Sequence, residues 1–334
     1  MNGEKPYDFV GFPNKPPVRQ EGVGQDRLQS ELLSGTLILR IETLTPVHVG
    51  SGYSDFVKAG NQDHLAALQA SKRVREDNTV RRRYVIPGSS FKGAVRSIVE
   101  AITPSCVRVV QRKYRPYLPQ GYGSCISVDH LCIACRLFGA QDYQAHISFE
   151  DAVAPKGSLV LLGVPLLWTP ARGGRGLPKS YLNNRDNAKG RKFYPHADYA
   201  KGADPRTCIK TGAHIENWRV HFLNLTEAEL GVLLTALGLH PKYQFPIKVG
   251  GGKPVGLGSI KLSLDAMQLI HSEDAIRQTG RLGQSQPLQG NALQEYVHQL
   301  TAQAQSLLHE KSLQELADIL TEKGLQNTAP AGPY

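Results

Sequence analysis

Tyr84-Val85-Ile86-Pro87-Gly88-Ser89-Ser90-Phe91-Lys92-Gly93-Ala94-Val95-Arg96-Ser97 is the stretch from which the fold is read. An apolar extended run meets Pro-Gly, turns on two serines and enters a periodic segment, which predicts strand, turn, helix. Ser89 or Ser90 is expected to cap the helix by accepting from the orphan N–H groups of its first turn. Phe91, Val95, Ile98, Val99 and Ile102 share one face at spacings of three and four, and Lys92 and Arg96 share another. A basic pair beside a helix N-terminus suits a phosphodiester backbone. An ordinary capped helix with solvated Lys and Arg gives the same pattern.

Downstream, Cys125-Ile126-Ser127-Val128-Asp129-His130-Leu131-Cys132-Ile133-Ala134-Cys135-Arg136-Leu137-Phe138-Gly139 holds a Cys-x-x-Cys pair. Two intervening residues let both sulfurs reach one tetrahedral ion, so Cys132 and Cys135 point to zinc, with Cys125 as third ligand. Cys106 or His130 supplies the fourth, Cys106 being favoured because His130 is crowded against Leu131 and Cys132. Four protein ligands would close the site, which makes the expected Zn2+ structural, not catalytic. Buried thiols with accidental spacing are the alternative.

The chain has 334 residues, enough for one large domain or two ordinary ones. Thirty-nine Lys and Arg against 29 Asp and Glu give a net charge of +10 and a pI near 9.3. This favours polyanionic partners. The excess is central: residues 72–115 hold twelve basic and three acidic residues, and residues 172–219 hold eleven and four. From residue 266 onward the balance reverses to four against seven, so that segment is expected to face protein or water. No apolar run reaches the length of a membrane span and no signal-peptide core is evident, so the expectation is cytoplasmic with no membrane partner. Five cysteines in such a chain argue for metal or isolated thiols before disulfides.

Residues 1–34, polar and proline-bearing, are expected to be an extended arm, either flexible or laid along a neighbour. Thr36–Leu44 alternates through Leu37, Leu39 and Ile41 as a half-buried strand. Pro46–Gly52 is a glycine-bearing turn region; its His48 is read as structural or RNA-contacting rather than catalytic, because no carboxylate or serine partner stands near it in sequence. Tyr53–Arg83 shows no clean period, ends in Arg81-Arg82-Arg83, and reads as a long polar loop. His146–Ala152 and Ser158–Gly163 read as strands, with Glu150 and Asp151 structural. Thr169–Gly212 interleaves cations with Tyr181, Phe193, Tyr194 and Tyr199, a composition suited to gripping single-stranded RNA or to a solvated loop. Cys208 in it reads as a free thiol.

Glu216–Leu225 alternates through Trp218, Val220 and Phe222, and Thr226-Glu227-Ala228-Glu229 then opens a helix to about Gly238. Val249–Gly258, with five glycines and Lys253, reads as a loop pressed against phosphates, and Ser259–Leu264 as the closing strand. Strand, helix, strand, strand, helix, strand is the α+β, ferredoxin-like order shared with RNA-recognition modules. Two amphipathic helices joined near Lys311 follow, able to pack back or dock on another subunit.

Ile-Pro-Gly-Ser-Ser-Phe-Lys-Gly, the cysteine-bearing insertion, Cys-Arg-Leu-Phe-Gly, Thr45-Pro46-Val47-His48-Val49-Gly50-Ser51-Gly52 and Gly250–Gly258 together resemble the RAMP superfamily of type III CRISPR effector complexes. The resemblance is strongest to the backbone subunits that coat the guide RNA and spans roughly residues 36–265. It implies a RAMP domain over 35–265, with a zinc insertion at about 103–137, a thumb at about 165–215, and a helical extension over 266–334. It further implies guide RNA, target RNA and other effector subunits as partners in antiviral defence. Ser89, Ser90, Lys92, Arg96, His48, Arg81, Arg82, Arg83, Gly251 and Lys253 are the RNA-binding candidates. In similar subunits a loop aspartate is implicated in cleaving target RNA. That position holds Ser71 here, leaving Asp63 first and Asp55 second as candidates, with Asp77 also in the loop, and Mg2+ as the ion if the chain cuts. A zinc-containing scaffold with little RNA contact is the alternative from a different class.

Overall fold

The computed structural model describes residues 6–108, 110–167, 177, 179–270 and 286–331. The arm begins with β1 (Asp8–Gly11) and leads to β2 (Leu33–Thr43), where Leu37, Leu39 and Ile41 are all fully buried. The segment expected to be a loop, Tyr53–Arg83, is instead two hairpins. They are β3 (Gly50–Ala59) with β4 (Gln62–Gln69), and β5 (Ser71–Glu76) with β6 (Thr79–Ile86). Most side chains of both ribbons are exposed or half-exposed, so no face is selected for apolar residues and the period of two disappears. The turns nevertheless announce themselves. Asp77 and Asn78 both take positive φ, as a two-residue type I′ hairpin requires, and Gly60 does so at the other tip.

Helix α1 (Gly88–Ile102) starts where expected but is capped differently. Pro87 is the N-cap residue, and Ser89 and Ser90 lie inside the first turn. The Asp151 carboxylate, from across the fold, accepts from Gly88 N at 2.9 Å and from Lys72 Nζ at 3.1 Å. Gly88 is required by crowding, since a Cβ there would sit 2.0 Å from Phe149 O. The Phe91 and Trp218 rings pack at a tilt with centres 4.2 Å apart, joining α1 to the sheet.

The short helix α2 (Ile133–Phe138) has Cys132 as its N-cap residue and carries Cys135, and is followed by β7 (Ile147–Phe149), β8 (Ala152–Val153), β9 (Leu159–Val164), β10 (Gly190–Phe193), β11 (Asp204–Ile209) and β12 (His214–Leu225). Helix α3 (Glu227–Ala236) carries the predicted capping box between Thr226 and Glu229. It is buried nearly all round. After β13 (Ile247–Lys248) and β14 (Ser259–Ile270) come α4 (Gly290–Gln303) and α5 (Glu310–Ile319). The join between these two helices lies at 304–309, before Lys311, where His309 accepts from Ser312 N. Both helices pack back on the body: Leu293, Leu300, Leu313 and Leu316 belong to the common core, and α4 approaches Gly231 so closely that a Cβ would meet Leu300 O.

The largest sheet among the described residues is antiparallel with order β13-β14-β2-β12-β7. A second sheet runs β3-β4-β11-β9, a third β5-β6-β8, and β1 pairs with β10. The arm is laid along its own chain: Gln20 and Leu131 exchange backbone hydrogen bonds, and Tyr122 Oη donates to Pro13 O at 2.8 Å. No helix among the described residues is long and apolar enough to cross a membrane.

Candidate nucleic-acid interface and metal centre

Cys106, Cys125, Cys132 and Cys135 converge, all four buried, with every sulfur within 4.8 Å of the others. His130 lies exposed outside this group. A tetrahedral ion with bonds of about 2.3 Å holds its sulfurs about 3.8 Å apart, and Cys106 and Cys135 stand at 3.5 Å, too far for a disulfide. N–H groups already point at the sulfurs: Cys132 N at 3.3 Å from Cys125, Cys106 N at 3.5 Å from Cys132, and Arg96 Nη2 at 3.3 Å from Cys135. Hydrogen bonding among the thiols, from Cys106 first, draws Cys125 and Cys132 below the ordinary thiol range. The residues therefore fit a metal ion such as zinc, which as a thiolate complex would carry excess negative charge.

That charge has its counter-ions in place. Arg96 donates to Glu100 Oε1 at 2.8 Å and to Gly139 O at 2.9 Å besides reaching Cys135. Arg191 donates to Glu100 Oε2 at 2.7 Å and to the carbonyls of Ser105 and Cys106. The three side chains are only 10–14% exposed. Arg96, expected on phosphates, thus faces inward: the helical spacing with Lys92 is right, but the cysteine insertion covers that part of α1. Arg19 from the arm donates to Gly121 O and Gly123 O beside the same cluster.

The basic ribbon is the other candidate surface. In the register of β5 and β6, Arg73 stands opposite Arg82, Lys72 opposite Arg83 and Val74 opposite Arg81. Arg83 is held by Glu76 at 2.6 Å, and Arg81 bonds Thr79. Arg73 and Arg82 are exposed and face no carboxylate partner among the described residues. Like charges directly opposite on a ribbon repel. Arg82 and Tyr84 line a cleft of about 680 Å3 together with Ser51, Tyr53, Asp55 and Ser71.

Other sequence candidates are scattered. Ser89 is exposed, and Ser90 and Lys92 half-buried, at the start of α1 beside Asp151. His48 is 3% exposed and its Nδ1 lies 2.9 Å from Thr207 O; burial holds its pKa below the ordinary imidazole value. It therefore braces the fold and reaches no surface-bound strand. Gly251 N donates to His48 O, so the glycine loop is folded inward. Lys253 is half-buried in that loop, and burial lowers its pKa. Asp55 lines the cleft and accepts from Phe56 N, whereas Asp63 sits near the hairpin tip opposite Lys58, outside the cleft lining. Neither belongs to a group of three or more metal-ligating side chains among the described residues.

Residues 168–176 and 178 of the expected thumb lie outside the described residues. Within the rest, Lys192 Nζ lies 4.8–5.3 Å from the ring centres of Tyr7, Tyr181 and Tyr194, so these aromatics are engaged within the chain. Cys208 is buried with Val164, Val255 and Leu257, and burial pushes its thiol up to about 12. Arg82 was among the candidates read from sequence, but Arg73 opposite it, Lys248 and the helix-capping role of Asp151 were not singled out. For the pair, the Asp77-Asn78 turn signal sets the register that places them.

No curated protein matches the chain. Residues 40–261 match the family model of the RAMP superfamily, a span that takes in the end of the central strand β2, both ribbons, the cysteine cluster and the glycine loop, and the chain belongs to that superfamily.

Proposed function

We propose that the chain is a backbone-type subunit of a type III CRISPR ribonucleoprotein, holding guide RNA along its phosphates and presenting complementary target RNA, in the cytoplasm. Membership of the superfamily points to CRISPR-associated RNA binding with other subunits. The observation that carries the finer reading is the Arg73–Arg82 pair. Two exposed, mutually repelling arginines beside a tyrosine-lined cleft are stabilised by a polyanion with unpaired bases. Counting β2, β7, β12 and β14 as first to fourth strands, the sheet order is 4-1-3-2, which supports a ferredoxin-like core. The cysteine cluster is read as a structural Zn2+ site that fixes the insertion, while sequence is read by base pairing.

Purification from the native host followed by sequencing of the bound nucleic acid tests this. Short RNAs sharing one repeat-derived end and differing elsewhere are expected. Random fragments, or no RNA, overturn the guide-holding reading. A cutting role, if the assembly has one, is assigned to Asp55 before Asp63, because Asp55 lines the cleft.

A further inference from the structure

Lys248, on the edge strand β13, is 6% exposed, and its Nζ donates to Lys253 O at 3.3 Å. Lys253 is half-buried beside it. Both side chains line one small cavity of about 110 Å3 together with Lys192, whose Nζ donates to Tyr181 Oη, and Tyr194; Ser97 and Ile98 of α1, Phe193 of β10 and Leu320 close it. Among the described residues no carboxylate pairs with either ammonium. Burial lowers the pKa of both, that of Lys248 to about 7 with the Lys253 charge adding to the effect. His196, next along, is kept neutral by the same burial and by the Lys248 charge.

Buried charges are ordinarily paired or they coordinate something, because an ammonium removed from water without a counter-charge is strongly disfavoured. Methionine or leucine would fill this space without that cost. A pair of lysines sharing one polar cavity is instead matched to a compact group with two or more acceptor oxygens and negative charge. The cavity has room for one such group and none for a nucleoside. None of its lining residues lines the Asp55–Arg82 cleft, so the two sites are distinct.

We infer that the Lys248–Lys253 cavity is a binding site for a single phosphate-type oxyanion, either free or carried by a nucleic-acid strand. The inference does not require the guide-RNA reading, since inorganic phosphate alone tests it. Thermal unfolding of the full chain is followed in increasing inorganic phosphate, with ionic strength matched by chloride. The midpoint is expected to rise by about 2 °C at phosphate tenfold above its Kd. Lys248→Met and Lys253→Met are expected to lose that rise, while Lys261→Met, on the exposed face of β14, keeps it.

Without phosphate, Lys248→Met should unfold no earlier than the wild-type chain, because it removes an unpaired buried ammonium. Should one lysine variant fail to fold, the other gives the answer. A wild-type midpoint indifferent to phosphate, or a phosphate-dependent rise retained in a folded lysine variant, overturns the proposal. Competition then identifies the source. Displacement of phosphate by 5′-phosphorylated but not 5′-hydroxyl RNA assigns a strand end, displacement by both assigns a backbone phosphate, and displacement by neither assigns a free oxyanion. Each of these three supports the oxyanion site.

Discussion

Arg96 Nη2 lies 3.3 Å from Cys135 Sγ while its Nε holds Glu100 Oε1 at 2.8 Å, so one guanidinium joins the cysteine cluster to the last turn of α1. Through Glu100 the link continues to Arg191 on β10. The insertion is therefore tied to the sheet-packing helix by charge as well as by apolar contact.

Metal analysis of the purified chain is expected to find one zinc per molecule. Cys132→Ser should lose it and unfold earlier, by more than about 4 kcal/mol, as loss of a structural metal does. Retention of zinc by this variant would remove Cys132 from the ligand set.

Glu100→Gln leaves two buried guanidinium groups without their shared carboxylate. Urea unfolding should show a loss of about 3–5 kcal/mol, the range for breaking a buried pair from one side. A loss below 1 kcal/mol would mean that Arg96 and Arg191 are held chiefly by the sulfurs and carbonyls.

Arg73→Glu with Arg82→Glu should abolish RNA retention without moving the unfolding midpoint, since both side chains are exposed. Arg82→Ala alone should weaken binding across all sequences alike and lower the slope of log K against log salt by roughly 0.7 for a single strand. Sequence-selective weakening would contradict a phosphate contact.

Stability should depend on pH in two windows. His196, with Nε2 donating to Pro246 O and Nδ1 accepting from Ser259 Oγ, is buried neutral with a pKa near 3. Unfolded, it protonates at about 6.5, so its contribution is complete above that pH and is lost as pH falls toward 3, by up to about 1.4 kcal/mol per unit. Lys248, at about 7 when folded, makes the chain gain stability as pH rises from 7 toward 10.5 in phosphate-free buffer. His196→Gln should flatten the lower window and leave the upper, whereas Lys248→Met should flatten the upper and also narrow the lower, because the Lys248 charge helps to hold the His196 pKa down.

Asp55→Ala should remove metal-dependent cutting of complementary RNA from an assembly that cuts, and Asp63→Ala should leave it. Equal cutting by both variants would place the chemistry elsewhere.

Strands with one buried face could be read directly. Leu37, Leu39 and Ile41 in β2, and Trp218, Val220 and Phe222 in β12, alternate because the core lies on one side only. The Thr226–Glu229 capping box and the Cys-x-x-Cys spacing are local chemistry and were equally legible. The ribbons were not, because exposure on both faces removes the pattern, and only Gly60 and the Asp77-Asn78 turn mark them. Arg96 illustrates a different limit. Its helical position is set by neighbours three and four away, but its burial is set by Gly139 and Cys135, about forty residues on, and by Arg191, much further. Asp151 capping α1 and Lys248 meeting Lys253 inside a cavity likewise depend on tertiary contacts that no local window contains.

In the large sheet, Leu37 lies in register between Val220 and Met267. The middle strand is therefore translated long before either neighbour. While the ribosome adds the intervening residues, its apolar side has no pairing partner of its own and is open to a chaperone or to another nascent chain. An early stop, for the same reason, yields an unpaired edge prone to aggregate and not a smaller folded protein.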